Sequence, residues 1–470
     1  MMSPVVTHSS PLLVGRDAEL GELASALGVD APGGPGGLGT APTGPSATAA
    51  PVAILLAGDA GVGKSRLLAE LGTRAEAAGW AVLTGHCLDF GDSALPYLPF
   101  SEVLDRMAAA LPTVVEDVTG RHPALTRLQP GRRMIGREDR AGADDEGPDR
   151  SATDRADLLA AVHDLLVTAA AARPVLLVLE DLHWADRSTR DLLSFLLARG
   201  FAGPVRVVAS YRSDDLHRRH PLRRQVAEWA RLRAVSRMQL GPLSDDSVRT
   251  LVAELVPGGL SETELADVVA RAEGNPFFVE ELTSAAGSPG RWVPSDLADV
   301  LLVRLDRLDP PARQVVRAAS AAGRRVAYDL LAAVAELDPV ALEDGLRGAV
   351  EMNVLLAERG RYEFRHALLG EAVYDDLLPG ERVALHRRYV AALQEGVAGG
   401  TAAELARHAR LALDLDTALL ASVEAGAEAS RVGGPVEAAQ HYEQALELLT
   451  DPRRSAQVDV DVSRIAVRAA

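Results

Sequence analysis

GDAGVGKS (58–65) follows the apolar run PVAILLA (51–57) and precedes a stretch of helix-forming residues. The spacing is G-x-x-x-x-G-K-[ST], and the setting, strand before and helix after, is the one in which such a loop closes around phosphate. Gly58, Gly61 and Gly63 let the backbone curl with its N–H groups turned inward, and the helix starting near Lys64 places its positive dipole end beneath the same anion. Lys64 adds a point charge for β and γ oxygens, and the Ser65 hydroxyl can ligate Mg²⁺. The loop from Gly58 through Asp59, Ala60, Gly61, Val62, Gly63, Lys64 and Ser65 to Arg66 is therefore expected to bind ATP or ADP with Mg²⁺. Of 49 basic residues, Lys64 is the only lysine, so a chance match would also have to capture that exception.

Outward from the loop, short apolar runs alternate with amphipathic segments. Strands are predicted at 51–57, 80–87, 174–180 and 204–212, and helices around 65–78, 98–111, 155–172, 187–199 and 221–233. Continuously apolar strands separated by helices predict an α/β layer whose parallel sheet is covered on both faces. This domain is drawn at 11–242, with two inserts rich in Gly, Pro, Ser, Ala or mixed charge, 28–50 and 130–155, read as flexible.

From 243 the pattern becomes helical, giving a helical lid at 243–308. Two extended runs flank Arg359-Gly360 as a hairpin would, which with the helices around them predicts a winged-helix domain at 309–385. Residues 386–470 contain two helices joined by Gly433-Gly434-Pro435, a tetratricopeptide-like tail. A repeat stack needs about three or more units to cover its faces, so the tail is expected to be truncated.

Composition narrows the function classes. The chain is 47% hydrophobic and 24% charged with a net charge of −17, a balance that opposes sequence-independent attraction to DNA or RNA. No uninterrupted apolar stretch reaches the roughly 18 residues of a membrane span, and the N-terminus lacks the pattern of a secretory signal. Cys87 is alone and cannot form an internal disulfide, which fits a reducing, cytoplasmic setting.

PVLLVLEDLHWAD (174–186) ends a buried strand with Glu180 and Asp181. A magnesium–phosphate site needs an acid at the C-terminal edge of a strand beside the loop, and a second acid can orient or deprotonate the attacking water. By position Glu180 holds Mg²⁺ with Ser65 while Asp181 acts on water, and the two roles are exchangeable.

These residues resemble the STAND class of signal-transduction P-loop ATPases, in particular the ATPase region of large LuxR-type bacterial transcriptional regulators. The resemblance implicates Val14, Gly15 and Arg16 of LVGRDAEL (13–20) beside the adenine. It makes Arg212, at the end of VVASYR (207–212), a γ-phosphate sensor, and it places Pro276 of GNPFFVEEL (274–282) against the base. In FRHALLGEAVYDDLL, His366 would read the β-phosphate of ADP. Catalysis would fall to Lys64, Glu180, Asp181 and Arg212. The function implied is a slow, Mg-dependent ATPase switch that self-associates in its ATP state and takes a protein or small-molecule signal through the tail. Direct DNA binding and membrane association are not expected of this segment. Two alternatives stand beside it: a non-hydrolysing scaffold whose nucleotide is structural, and an origin-recognition-like AAA+ ATPase acting on DNA.

Overall fold

The computed structural model describes residues 13–29, 52–88, 95–128, 148–217, 220–256, 259–286, 305, 308–323, 325–352, 354–358, 360–397 and 399–449. Most of the two expected inserts, residues 30–50 and 129–147, lies outside the described residues, as do 287–304, Arg359 and the end of the tail from 450.

Helix α1 (Asp17–Leu27) leads to β1 (Ala53–Gly58), α2 (Lys64–Ala77) and β2 (Ala81–His86). Then come α3 (Leu98–Ala110), α4 (Pro112–Arg121), α5 (Pro148–Ala172), β3 (Val175–Glu180), α6 (Arg187–Arg199), β4 (Val205–Arg212), α7 (Pro221–Trp229) and β5 (Val235–Gln239). The five strands form one parallel sheet in the order β2-β3-β4-β1-β5. Alternate residues of each central strand face opposite layers. Leu55, Leu177 and Val207 pack with α3, α5, α6 and α7, whereas Ile54, Leu56, Leu176, Val178 and Val208 pack with α1 and α2. Both faces are dry, which is why these strands read as unbroken apolar runs rather than alternating ones.

Two expectations are corrected. Residues 148–155, read with the second insert, are the first turns of α5; Pro148 suits a first helical turn, and the Ser, Thr and Asp that follow it are as common in loops, so composition alone does not separate them from the loop before. Strand β5 was not expected at all. Only Val235 and Met238 of its five side chains are buried, so this edge strand lacks the apolar continuity of the other four.

Three helices follow, α8 (Asp245–Leu255), α9 (Glu262–Ala272) and α10 (Pro276–Ala286). Ser244 caps α8 through Ser247 N, and Ser261 with Glu264 forms a reciprocal capping box at α9, so polar side chains satisfy amides that a helix start leaves open. Next are α11 (Pro310–Ala322), β6 (Arg325–Ala327), α12 (Tyr328–Val334), α13 (Pro339–Glu351), β7 (Leu355–Glu358), β8 (Arg361–Phe364), α14 (Ala367–Asp376) and α15 (Pro379–Gln394). Here β7 and β8 are an antiparallel pair, and β6 joins β8 to make a three-stranded sheet. Gly360, in the turn between them, has φ +80°. The line drawn at 385/386 falls inside α15.

The tail consists of α16 (Ala402–Leu411), α17 (Leu415–Arg431) and α18 (Pro435–Leu448), each packed on the next. It also returns to the parallel sheet: Glu437 of α18 accepts from Ser188 N at 3.0 Å and Ser188 Oγ at 2.7 Å, at the start of α6. Among the described residues no helix is long and apolar enough to cross a membrane.

Candidate functional site

Parallel pairing fixes which residues meet at the C-terminal edge of the sheet. Gly58 is opposite Arg212 on β4, and His86 is opposite Glu180 on β3. That edge, where connections leave to different sides of the sheet, is where open α/β folds bind ligands.

The glycine loop crosses it in a conformation few other residues would accept. Gly61 and Gly63 have φ of +76° and +100°. A Cβ on Gly61 would also stand 2.8 Å from Asn275 Oδ1 and 2.9 Å from Phe277 Cβ, so even a methyl group would push the loop off the start of α10. Asn275 makes that contact specific: its Nδ2 donates to Ala60 O at 2.9 Å, while its Oδ1 accepts from Phe277 N at 3.1 Å. Arg16, 4% exposed, clamps the other flank by donating to Val62 O at 3.2 Å and Gly241 O at 2.5 Å, and it pairs with Glu19 at 2.7 Å.

Lys64 donates to Gly58 O at 2.7 Å and Asp59 O at 2.8 Å. Burial, and then the nearby Arg212 guanidinium, lower its pKa to about 8, against the opposing pull of Asp214, Asp59 and Asp215. Two cations thus share a poorly solvated pocket, and an anion between them would relieve both burial and repulsion. Ser65 Oγ donates to Glu180 Oε2 at 2.6 Å, which puts a hydroxyl and a carboxylate, the oxygen donors Mg²⁺ prefers, at one point beside the loop. By both observations the residues fit a magnesium–phosphate ligand.

Asp181 is 8% exposed and holds φ +60° without being glycine, with its N–H on Ser210 Oγ at 3.2 Å. A left-handed non-glycine residue carries strain that surrounding structure must hold in place, and such residues concentrate where a side chain has to be aimed. In the turn that follows, His183 Nδ1 accepts from Arg212 N at 3.4 Å and Nε2 lies 3.5 Å from Asp215 Oδ2. Burial, then Arg212, Lys64 and His220, push its pKa down to about 2, so the imidazole serves as an uncharged spacer. The Arg212 side chain reaches Glu371 of α14 at 3.4 Å and Asp215 at 3.7 Å.

A cavity of about 700 Å³ gathers most of the residues singled out in the sequence. Val14, Arg16, Ala60 through Arg66, Glu180, Asp181, Arg212, Pro276 and His366 all line it. Gly15, Gly58 and Asp59 are absent from that lining. Gly15 instead lies against α8, where an added Cβ would stand 2.4 Å from Ser247 Oγ, and Gly58 and Asp59 turn their carbonyls to Lys64. Pro276 opens α10 with its ring over Gly63, 3.9 Å from the position a Cβ there would take. His366 packs its ring 4.4 Å from that of Phe277 and sets Nε2 3.4 Å from Glu280. The wall also contains His86, Arg325 and Arg365, which the sequence did not single out. Arg365 stands beside His366 in FRHALL, and that adjacency is the one signal that could have pointed to it.

Residues 12–208 match the family model described as AAA ATPase domain. An uncharacterised protein of Rhizobium meliloti is 29% identical over 438 residues, covering 84% of this chain and 40% of that protein. Among solved structures, the chain is similar to a signal transduction ATPase with numerous domains (STAND) that carries a tetratricopeptide repeat sensor, from Pyrococcus horikoshii. That match has a TM-score of 0.54 at 14% identity and covers 98% of this chain and 62% of that one. A Walker-type ATPase of Pyrococcus abyssi aligns with a TM-score of 0.35 at 13% identity, covering 78% of this chain and 98% of that one. The chain thus spans 40% of the length of its curated relative and 62% of that of the STAND protein. Residues 12–208 are similar to an AAA ATPase domain, and the chain has the fold of that STAND protein.

Proposed function

We propose that this STAND-type chain is a regulatory switch that binds ATP and ADP with Mg²⁺, hydrolyses ATP slowly, and changes its association with itself according to which nucleotide it holds. The observation that carries the reading is the single cavity lined by the glycine loop, the acidic strand end, Arg212, Pro276 and His366. Those residues come from the parallel sheet, the helices after it and the segment after the small antiparallel sheet. A ligand there touches parts of the chain that can move relative to one another.

The loop amides and the start of α2 would cradle the phosphates, with Lys64 turning from the Gly58 and Asp59 carbonyls to β and γ oxygens. Ser65 and Glu180 would hold Mg²⁺, with Asp181 as the alternative ligand; when bound, the metal supplies charge neutralisation on the phosphates. Asp181 would orient the attacking water, and Arg212, whose backbone N–H donates to His183 Nδ1, would meet the third phosphate. Val14 and Arg16 would border the base, Pro276 would pack on it and His366 would reach the β-phosphate. A nucleotide shifts a conformational equilibrium only by its different affinities for the two forms. Pro276 and His366 would supply the difference that favours a closed ADP form. We further read the chain as the regulatory ATPase module of a LuxR-type transcriptional regulator, with its signal, a protein or a small molecule, entering through the helical tail.

Calorimetry tests the foundation. Wild-type protein is expected to bind MgADP and MgATP, and Lys64→Ala to lose that heat while keeping its melting transition. Gel filtration with ADP and with a non-hydrolysable ATP analogue tests the switch, the analogue giving the larger species. Asp181→Asn should slow turnover about 100-fold or more with little change in nucleotide affinity. If ATP is held but wild type and Asp181→Asn turn over equally slowly, the nucleotide is structural and the site is a scaffold.

A further inference from the structure

At the edge of the cavity, five polar side chains from two distant parts of the chain meet. His86 ends β2, Glu102 lies on α3 and Glu180 ends β3, while Arg325 starts β6 and Glu363 lies on β8. None of the five side chains is more than 17% exposed. Glu102 Oε2 lies 2.8 Å from His86 Nδ1 and also accepts the His86 main-chain N–H at 3.0 Å. Arg325 donates through Nε to Glu363 at 2.5 Å and through Nη1 to Glu102 Oε1 at 3.2 Å.

The contact between Arg325 and His86 has a particular form. Nη1 and Nη2 of the guanidinium lie 3.1 Å from Nδ1 and from Nε2 respectively. A guanidinium only donates, and the Nδ1 hydrogen is committed to the Glu102 carboxylate, so these are not two ordinary hydrogen bonds. Equal spacing to both ring nitrogens is what a flat cation laid along an imidazole gives, an arrangement arginine adopts and lysine does not. The Nε2 edge of the same ring faces Glu180 Oε1 at 3.7 Å, beyond hydrogen-bonding distance, so the ring bears on that carboxylate by packing. The other Glu180 oxygen takes the Ser65 hydroxyl.

We propose that Arg325 and His86 act together as a positioning pair for Glu180, holding its carboxylate against Ser65 while the small antiparallel sheet is seated on β2. Arg325 does not touch Glu180's partner Ser65; it acts through the imidazole. Because β6 is paired with β8, and His366 follows β8 by two residues, the strand that carries the positioning cation moves with the residue on the far wall of the cavity. Displacing the small sheet therefore withdraws His366 from the ligand and releases Glu180 in one motion. The inference rests on the proposed magnesium–nucleotide site, and it adds an assignment to residues outside every recognised motif of the chain.

The test is the Mg²⁺ concentration that half-saturates the enhancement of binding of a fluorescent ADP analogue, measured in wild type, Arg325→Gln, His86→Asn and the double variant. Loss of a residue that orients a metal ligand typically weakens metal affinity at least about tenfold. Each single variant is expected to raise the Mg²⁺ requirement by about that factor, and the double variant to raise it no further than either single variant. An unchanged requirement in Arg325→Gln, or effects that multiply in the double variant, overturns the proposal. Arg325→Lys keeps the charge but cannot lie along the ring, so it is expected to behave like Arg325→Gln; rescue by lysine would mean that charge alone suffices and would likewise overturn the pair. Glu363→Gln, which loosens the guanidinium from β8, carries the same measurement if Arg325→Gln does not fold. Failure of wild type to bind the analogue at all is a distinct outcome and sinks the nucleotide reading instead.

Discussion

Two of the seams that join the parallel-sheet domain to the rest of the described chain bury carboxylates, and they neutralise them in opposite ways. Beside the cavity, Glu102 lies between His86 and Arg325. Burial raises its pKa, yet the hydrogen bond and charge of His86 and the charge of Arg325 outweigh burial and leave it below the ordinary range. At the tail seam two acids share one helix start. Glu437, 1% exposed, takes Ser188 N and Oγ, and Asp186 takes Thr189 N at 2.8 Å. There burial, and next the charge of Glu437, push Asp186 up to about 7. The first seam sets counter-cations against its carboxylate, whereas the second sets helix-start N–H groups and hydroxyls against two acids whose burial and mutual repulsion raise the Asp186 pKa.

The largest effect that would break this contrast is expected from Glu437→Ala. It strands a buried amide and hydroxyl at Ser188, a loss worth about 1–3 kcal/mol, and should free α18 to proteases. Nucleotide affinity should hold, because nothing in the tail seam lines the cavity. Urea denaturation and limited proteolysis check the first point, calorimetry the second; equal stability of variant and wild type would show that the tail is held by something other than this carboxylate. A smaller change is expected from Tyr97→Phe, which deletes the hydrogen bond from Tyr97 Oη to Gly433 O (3.2 Å) but keeps the buried ring. Its cost should be about 1 kcal/mol, again without effect on nucleotide. A loss of nucleotide affinity in either variant would mean that the two seams are one mechanical unit.

How much of this was legible in the sequence follows from what each feature needs. The glycine loop asks for particular residue types at fixed spacing, and four strands ask for apolar runs; both are local, and the structure has the loop between β1 and α2 and the four strands where the sequence puts them. Strand β5 pairs with β1 at the sheet edge with three of five side chains exposed, so no run announces it. The far wall was reached through family motifs, since neither a proline nor a histidine declares its pocket. Arg325 and His86 are 239 positions apart, and Ser188 and Glu437 are 249 apart. Their residue types are ordinary on any surface. Only the fold, by pairing β6 with β8 and returning α18 to α6, turns them into seams.

The subtlest way to sharpen the comparison is pH. For Asp186, the folded-state pKa of about 7 lies above the ordinary 3.8. Between those values the folded protein keeps a proton that the unfolded chain releases, so its contribution to stability is full below pH 3.8 and declines as pH rises toward 7. The Arg190 charge does act on Asp186, but burial and the charge of Glu437 outweigh it and the sign stands. For Glu102 the folded-state value lies below the ordinary 4.5, so its contribution is present above pH 4.5 and is lost as pH falls through the folded-state value. Asp186→Asn should therefore flatten the alkaline side of the stability profile while changing stability near pH 5 by less than about 1 kcal/mol, since asparagine caps a helix about as well as aspartate. Glu102→Gln should flatten the acid side alone. Denaturation midpoints of the three proteins from pH 4 to pH 8 resolve the two limbs. Should Asp186→Asn leave the slope between pH 5 and pH 7 as steep as wild type, the retained proton belongs elsewhere, and the tail is then seated by its helix-end hydrogen bonds alone.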